Sequence, residues 1–153
     1  MMGSGLIAQN QEIADNIRKY GWHCLRVFPT EVGQDKFSYS IGFAESYGAP
    51  EVLIFGLERS KAHALLNECA NLLKAGHVIQ PGVEDSNVLA GGYNVVFKPV
   101  RSDCFGEYLG TAGRYYQDKP FKAVVMFIPD RDHRFPWQAG YDYLPADEPL
   151  AIV

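Results

Sequence analysis

Two carboxylates at the ends of apolar runs are the residues of this sequence best placed for chemistry. Glu51 follows Pro50 at the entrance to Glu51-Val-Leu-Ile-Phe-Gly-Leu57, a run otherwise without a polar side chain. A carboxylate there is either exposed at the strand end or paired, with Arg26 or Arg101 as candidate cations. Half-buried and unpaired, its pKa would rise towards that of a working acid or base. Asp130 holds the matching position, after Phe121-Lys-Ala-Val-Val-Met-Phe-Ile-Pro129. Two carboxylates at strand ends could line one cleft.

Small residues supply the second candidate surface. In Phe37-Ser-Tyr-Ser-Ile-Gly-Phe43 the side chains alternate strictly, as a strand requires. Phe37, Tyr39, Ile41 and Phe43 share one face, and Ser38, Ser40, Gly42 and Ala44 the other. So bare a face admits close approach by a packed helix or by a ligand. Together with the Asp130-Arg-Asp-His133 loop and Phe135-Pro-Trp137, the candidate ligand-binding set is Ser38, Tyr39, Ser40, Gly42, Glu51, Asp130, His133 and Trp137.

Other chemistries find less support. His23, His63, His77 and His133 do not form a ligand pair at useful spacing, and adjacent His23 and Cys24 point to opposite faces of a strand. No metal site is expected, and the Asp130–His133 loop reads as a self-paired turn. Cys24, Cys69 and Cys104 read as reduced, buried thiols, although Cys104 opens a helix that could lower its pKa. The serines lack a Gly-x-Ser-x-Gly elbow. Gly106, Gly110 and Gly113 fit neither phosphate-binding fingerprint. Within a helix each costs about 1 kcal/mol relative to Ala. Such a face is expected to press on a sheet, with the small face of Ser38, Ser40 and Gly42 as one partner, unless the glycines serve turns in a loop.

The elements positioning these residues follow from periodicity. Residues 9–20 read as a helix stopped by Gly21, and 22–28 as a strand. A polar turn at Gly33–Lys36 joins it in a hairpin to the strand at 37–44. Residues 45–50 turn the chain into a strand over 51–57. A helix over 60–75 carries the stripe Ala62, Leu65, Leu66, Cys69, Leu72 and Leu73, with Ser60 as N-cap and Gly76 as stop. Residues 77–92 read as a loop or ragged hairpin, 93–100 as a strand, 103–116 as a helix capped by Ser102 or Asp103, and 121–128 as a strand. The fold class is α+β, with a mostly antiparallel sheet that could curl into a partial barrel and about three helices.

Length and composition bound the rest. The 153 residues suit a single domain, 47% hydrophobic and 21% charged, as in a soluble globular protein. Residues 1–5 are set aside as a disordered or expression-derived start, and 130–153 read as a tail wrapping the surface. A net charge of −4 argues against phosphate-driven nucleic-acid binding. A local patch around Lys122, Arg131 and Arg134 reads as a solvated loop. No apolar run reaches the roughly 18 residues of a membrane helix, and no signal peptide is evident, so a cytoplasmic location is expected.

With these pieces in order, the chain resembles a bacterial family of unassigned function, the domain of unknown function 4262 family. The resemblance rests on Gly21-Trp22, Phe37–Phe43, Pro50-Glu51, Gly56-Leu57, Ala64-Leu-Leu-Asn67, Pro129-Asp130 and Phe135-Pro-Trp137. It runs from the first helix to Trp137. Ser40 and Phe43 stand where members often carry Thr and Leu, changes that keep residue character. The resemblance implies a small, compact, usually intracellular bacterial domain, and it transfers no reaction and no catalytic residues.

Three functions fit these observations. The first is a binding or interaction module for a protein or small molecule, working through the Ser38/Ser40/Gly42 face, Glu51 and the Asp130–Trp137 segment. The second is an enzyme of split-barrel type holding a flavin or nucleotide cofactor, which rests on fold-level analogy alone. The third is an immunity or anti-defence protein acting by contact with a basic partner.

Overall fold

The structure is a computed structural model and describes residues 4–28, 37–117 and 119–153. A six-stranded open sheet in the order β1-β2-β3-β6-β5-β4 forms its centre. The strands are β1 (His23–Val27), β2 (Phe37–Ile41), β3 (Glu51–Phe55), β4 (Glu84–Asp85), β5 (Val95–Pro99) and β6 (Ala123–Phe127). Every pairing is antiparallel except the central one, where β3 and β6 run parallel. The sheet is therefore mixed, and it does not curl into a partial barrel. The chain reaches the parallel seam only after a long crossover, as parallel pairing demands.

Both faces of the sheet are covered, and strand alternation divides the core into two layers. Phe37, Tyr39, Ile41, Leu53, Phe55, Val125 and Phe127 face one side, with α1 (Ser4–Tyr20) contributing Ile13 and Ile17. Val52, Ile54, Val124 and Met126 face the other, against α3 (Arg59–Lys74) through Ala62, Leu66, Cys69 and Leu73. Ser38 is paired with Ile54 and shares that second face. The bare face of β2 is thus covered by α3, not by the glycine-bearing helix.

Several local expectations shift for identifiable reasons. Helix α1 begins well before residue 9, at Ser4, and ends as expected, with Gly21 at φ 89° donating its N–H to the Ile17 carbonyl. The turn expected at Gly33–Lys36 lies outside the described residues, as do residues 1–3 of the start set aside above. Strand β2 stops at Ile41 because Gly42 turns left-handed, at φ 118°, and the chain enters the short helix α2 (Phe43–Tyr47). Phe43 consequently swings to the α3 side, beside Trp22, and does not share the face of Tyr39. Glu58, not Ser60, caps α3, accepting the Ser60 N–H at 3.1 Å.

The helix expected over 103–116 is broken. A 3₁₀ turn at Ser102–Cys104, with no side-chain cap, leads into α4 (Phe105–Tyr108), and α5 (Gly110–Tyr115) follows after a break at buried Leu109. This segment packs on the aromatic face, where Ala112 donates its N–H to the Tyr39 hydroxyl at 3.3 Å. A Cβ at Gly106 or Gly113 would meet nothing within 4 Å, and at Gly110 only Arg114 at 3.6 Å. The glycines face open space, so neither close packing nor a left-handed turn explains them. The tail beyond Asp130 closes the aromatic layer with Phe135 and Ile152 and ends in α6 (Asp147–Ala151).

Candidate functional site

Glu51 occupies the first position of β3 with its carboxylate fully buried. Its partners are neutral donors, not Arg26 or Arg101. Oε1 accepts from the Ser40 hydroxyl at 2.8 Å and the Phe43 N–H at 3.0 Å. Oε2 accepts from the N–H groups of Gly42 and Ala44, each at 3.1 Å, and from the Tyr116 hydroxyl. The first backbone donors of α2, which no residue of that helix can satisfy, thus converge on one side chain. Burial raises the Glu51 pKa, and the Tyr116, Ala44, Ser40 and Phe43 donors only partly pull it back. Tyr116 is raised in turn, by burial and by the facing Glu51 charge.

Ser40 completes the node by accepting the Val52 N–H at 3.0 Å, which ties β2 to β3. Gly42 is required here for space as well as conformation. A Cβ would lie 2.9 Å from both the Gly21 carbonyl oxygen and Ile17 Cγ1. Ser38 is buried beneath α3, and burial pushes the Tyr39 hydroxyl up to about 12. Four short stretches that are distant in sequence, Gly21-Trp22, Ser40–Phe43, Pro50-Glu51 and Tyr115-Tyr116, meet at this point. Tyr116 was not among the sequence candidates, because nothing in Gly113-Arg-Tyr-Tyr116 marks one tyrosine as facing inwards.

Asp130 lies at the other end of the sheet. Glu51 is level with Ala123 at the start of β6, and Asp130 is seven residues further on. At strand rise this separates the two carboxylates by roughly 20 Å, so they do not share a cleft. Asp130 is also buried and accepts four bonds: from the N–H groups of Asp132, Arg134 and Asp142 and from Arg134 Nε, at 2.9–3.0 Å. Burial opposes its ionisation, but the Arg134 and backbone donors outweigh that and hold its pKa low. Arg134 also pairs with Asp132 at 3.0 Å, so the loop is self-paired as its composition suggested. Among the described residues no group of three or more His, Cys, Asp or Glu is placed to hold a metal.

What this loop presents is aromatic. His133, at φ 64°, stacks on Tyr93 with ring centres 4.4 Å apart and planes 17° apart. Tyr93 donates its hydroxyl to the Arg131 carbonyl at 3.1 Å. Trp137 stacks on Phe135 at 5.1 Å, carries Lys98 Nζ 3.8 Å above its ring, and remains 41% exposed. Beside the loop is a groove of about 420 Å³, lined by Tyr93, Arg131, Tyr143, Leu89 and Ile128. Tyr93, Arg131 and Tyr143 were not picked out as a group from sequence, since they come from three separate segments.

The remaining sequence candidates are dispersed. Cys69 is buried in the α3 layer, with its thiol pushed up to about 12 by burial, and Cys104 is buried beside Arg101. His77 forms a 2.6 Å pair with Asp85. A family model described as "Domain of unknown function (DUF4262)" matches residues 16–142 of the chain. No curated protein and no solved structure matches it. Among the described residues no helix is long and apolar enough to cross a membrane.

Proposed function

The chain belongs to the DUF4262 family, and we propose that it is a small binding module whose working surface is the Asp130–Tyr143 loop with its adjoining groove. The observation that carries this reading is the contrast between the two carboxylates. Glu51 holds backbone inside the fold, whereas Asp130 holds a loop whose Trp137 and Tyr143 side chains are exposed. Four bonds from three residues of the loop to one carboxylate pre-organise it, and pre-organised loops lose little entropy on binding. The apolar floor, two tyrosines and exposed Arg131 suit a planar or apolar group bearing a negative charge.

Of the three surfaces expected to cooperate, Ser38, Ser40, Gly42 and Glu51 are internal, which leaves His133, Trp137 and the groove above Asp130. The split-barrel reading rested on the likeness of the hairpin, the small-residue strand and the following helix to flavin-binding barrels; the sheet here is open, and the small face of that strand lies under α3. Native mass spectrometry of the protein from its host tests the proposal, followed by a thermal-shift panel of flavins, nucleotides and aromatic acids. A retained ligand or partner, lost on Tyr143→Ala or Arg131→Ala with melting temperature unchanged, is the expected result. An empty mass together with no shift across the panel, or binding indifferent to both substitutions, overturns it.

A further inference from the structure

We propose that the outer edge of β1 is a second docking site, built to accept an extended peptide segment as a seventh strand. The two edges of the sheet differ. β4 is two residues long, and both are acidic, a common way of discouraging further pairing. β1 is five residues long, His23-Cys-Leu-Arg-Val27, and only Arg26 carries a fixed charge. Among the described residues no strand pairs with its outer edge. Tyr20 and Phe28, 61% and 55% exposed, stand at its two ends.

A cleft of about 510 Å³ lies along this edge. Trp22, His23 and Cys24 all line it, although successive side chains of a strand point to opposite faces. The cleft therefore straddles the strand edge, with α1 supplying Asn16 as one wall and α3 supplying His63 and Asn67 as the other. Each asparagine can both donate to and accept from a peptide unit. Asn16 Nδ2 donates to His23 Nδ1 at 2.9 Å, which leaves the His23 Nε2–H as a further donor. The His63 ring lies against Trp22 at 5.4 Å and makes a surface for an alternate side chain of the incoming strand.

Shape selects the occupant. Edges recessed between helix walls would leave both clefts unfilled if two copies paired edge to edge, whereas one extended chain enters the recess. Backbone hydrogen bonds then supply affinity, and the two walls read alternate side chains.

The test is to pan a phage-displayed random-peptide library against the intact protein and synthesise the enriched peptides. N-methylation of alternate residues should weaken binding at least about tenfold in one phase and little in the other, because only one phase of amides faces β1. Bound peptide should slow amide exchange within residues 23–27. His63→Ala and Asn67→Ala, both at exposed positions, should weaken binding about three- to tenfold without lowering the melting temperature. Arg131→Ala should leave it unchanged, which separates this site from the groove at the other end. Failure to enrich any peptide overturns the proposal, as does equal tolerance of methylation in both phases, or protection elsewhere. A dimer in light scattering that protects the same amides would assign the edge to a second copy and also overturn it.

Discussion

At the scale of single residues, Glu51 shows how a buried carboxylate can be structural without a countercharge. Removing it leaves the donors of Ser40, Gly42, Phe43, Ala44 and Tyr116 to be satisfied in a site closed to water. Glu51→Ala should therefore destabilise the fold by about 3 kcal/mol or more, read by urea unfolding with m unchanged. Glu51→Gln should lose less, and its pH dependence carries the sign. A carboxyl whose folded pKa is raised stabilises fully below its unfolded value of 4.5, and that contribution fades as pH rises through the folded value. Wild type should thus gain on Glu51→Gln as the pH falls towards 4.5. Asp130 behaves oppositely, because its folded pKa is lowered: its contribution holds above the unfolded value of 3.8 and is lost as pH falls through the folded one. Asp130→Asn should flatten that acid loss and make the 130–142 loop a faster target for protease. A carboxylate in an apolar run is visible in sequence. What surrounds it is not, because the Glu51 donors come from residues 40–44 and 116.

At the scale of elements, glycine positions separate fold requirement from tolerance. Gly42→Ala meets backbone 2.9 Å away at φ 118° and should destabilise by about 2–4 kcal/mol. Gly113→Ala meets nothing within 4 Å inside a helix and should stabilise by about 0.5–1 kcal/mol. Thermal melts of the two variants should move in opposite directions. Pattern made both Gly42 and Gly113 conspicuous but could not rank them. Small residues on a strand and on a helix look alike until the topology shows which element covers which. Helical periodicity did identify α3 and its buried stripe, because a helix of 16 residues repeats its apolar face several times. The α2 helix escaped notice because five residues hold little more than one turn, and its start depends on Glu51 rather than on a local cap.

At the scale of the whole molecule, the sheet is two antiparallel ribbons joined along one parallel seam. Strands β1, β2 and β3 form the first and β4, β5 and β6 the second. The β1–β2 pairing was legible in the sequence, because the two strands follow one another in the chain. The parallel seam was not legible, since β3 and β6 are separated by a long crossover that no short pattern records. Amide exchange should be slowest in residues 52–54 and 124–126, where both neighbours are paired, and fastest along the outer edge of β1.

The Tyr116–Glu51 contact acquires a different meaning on that seam. It joins the ribbons at the same end where the Glu51 N–H meets the Lys122 carbonyl at 2.9 Å. Each ribbon is contiguous in the chain, so the loop after Gly76 is a place where the polypeptide could be cut without dividing either. Two separately expressed pieces would then need only to find one another along β3 and β6 to rebuild a continuous sheet, with Glu51 in one and Tyr116 in the other. The buried carboxylate would act as the recognition element between halves, and the domain as a two-part assembly whose reunion reports that they have met.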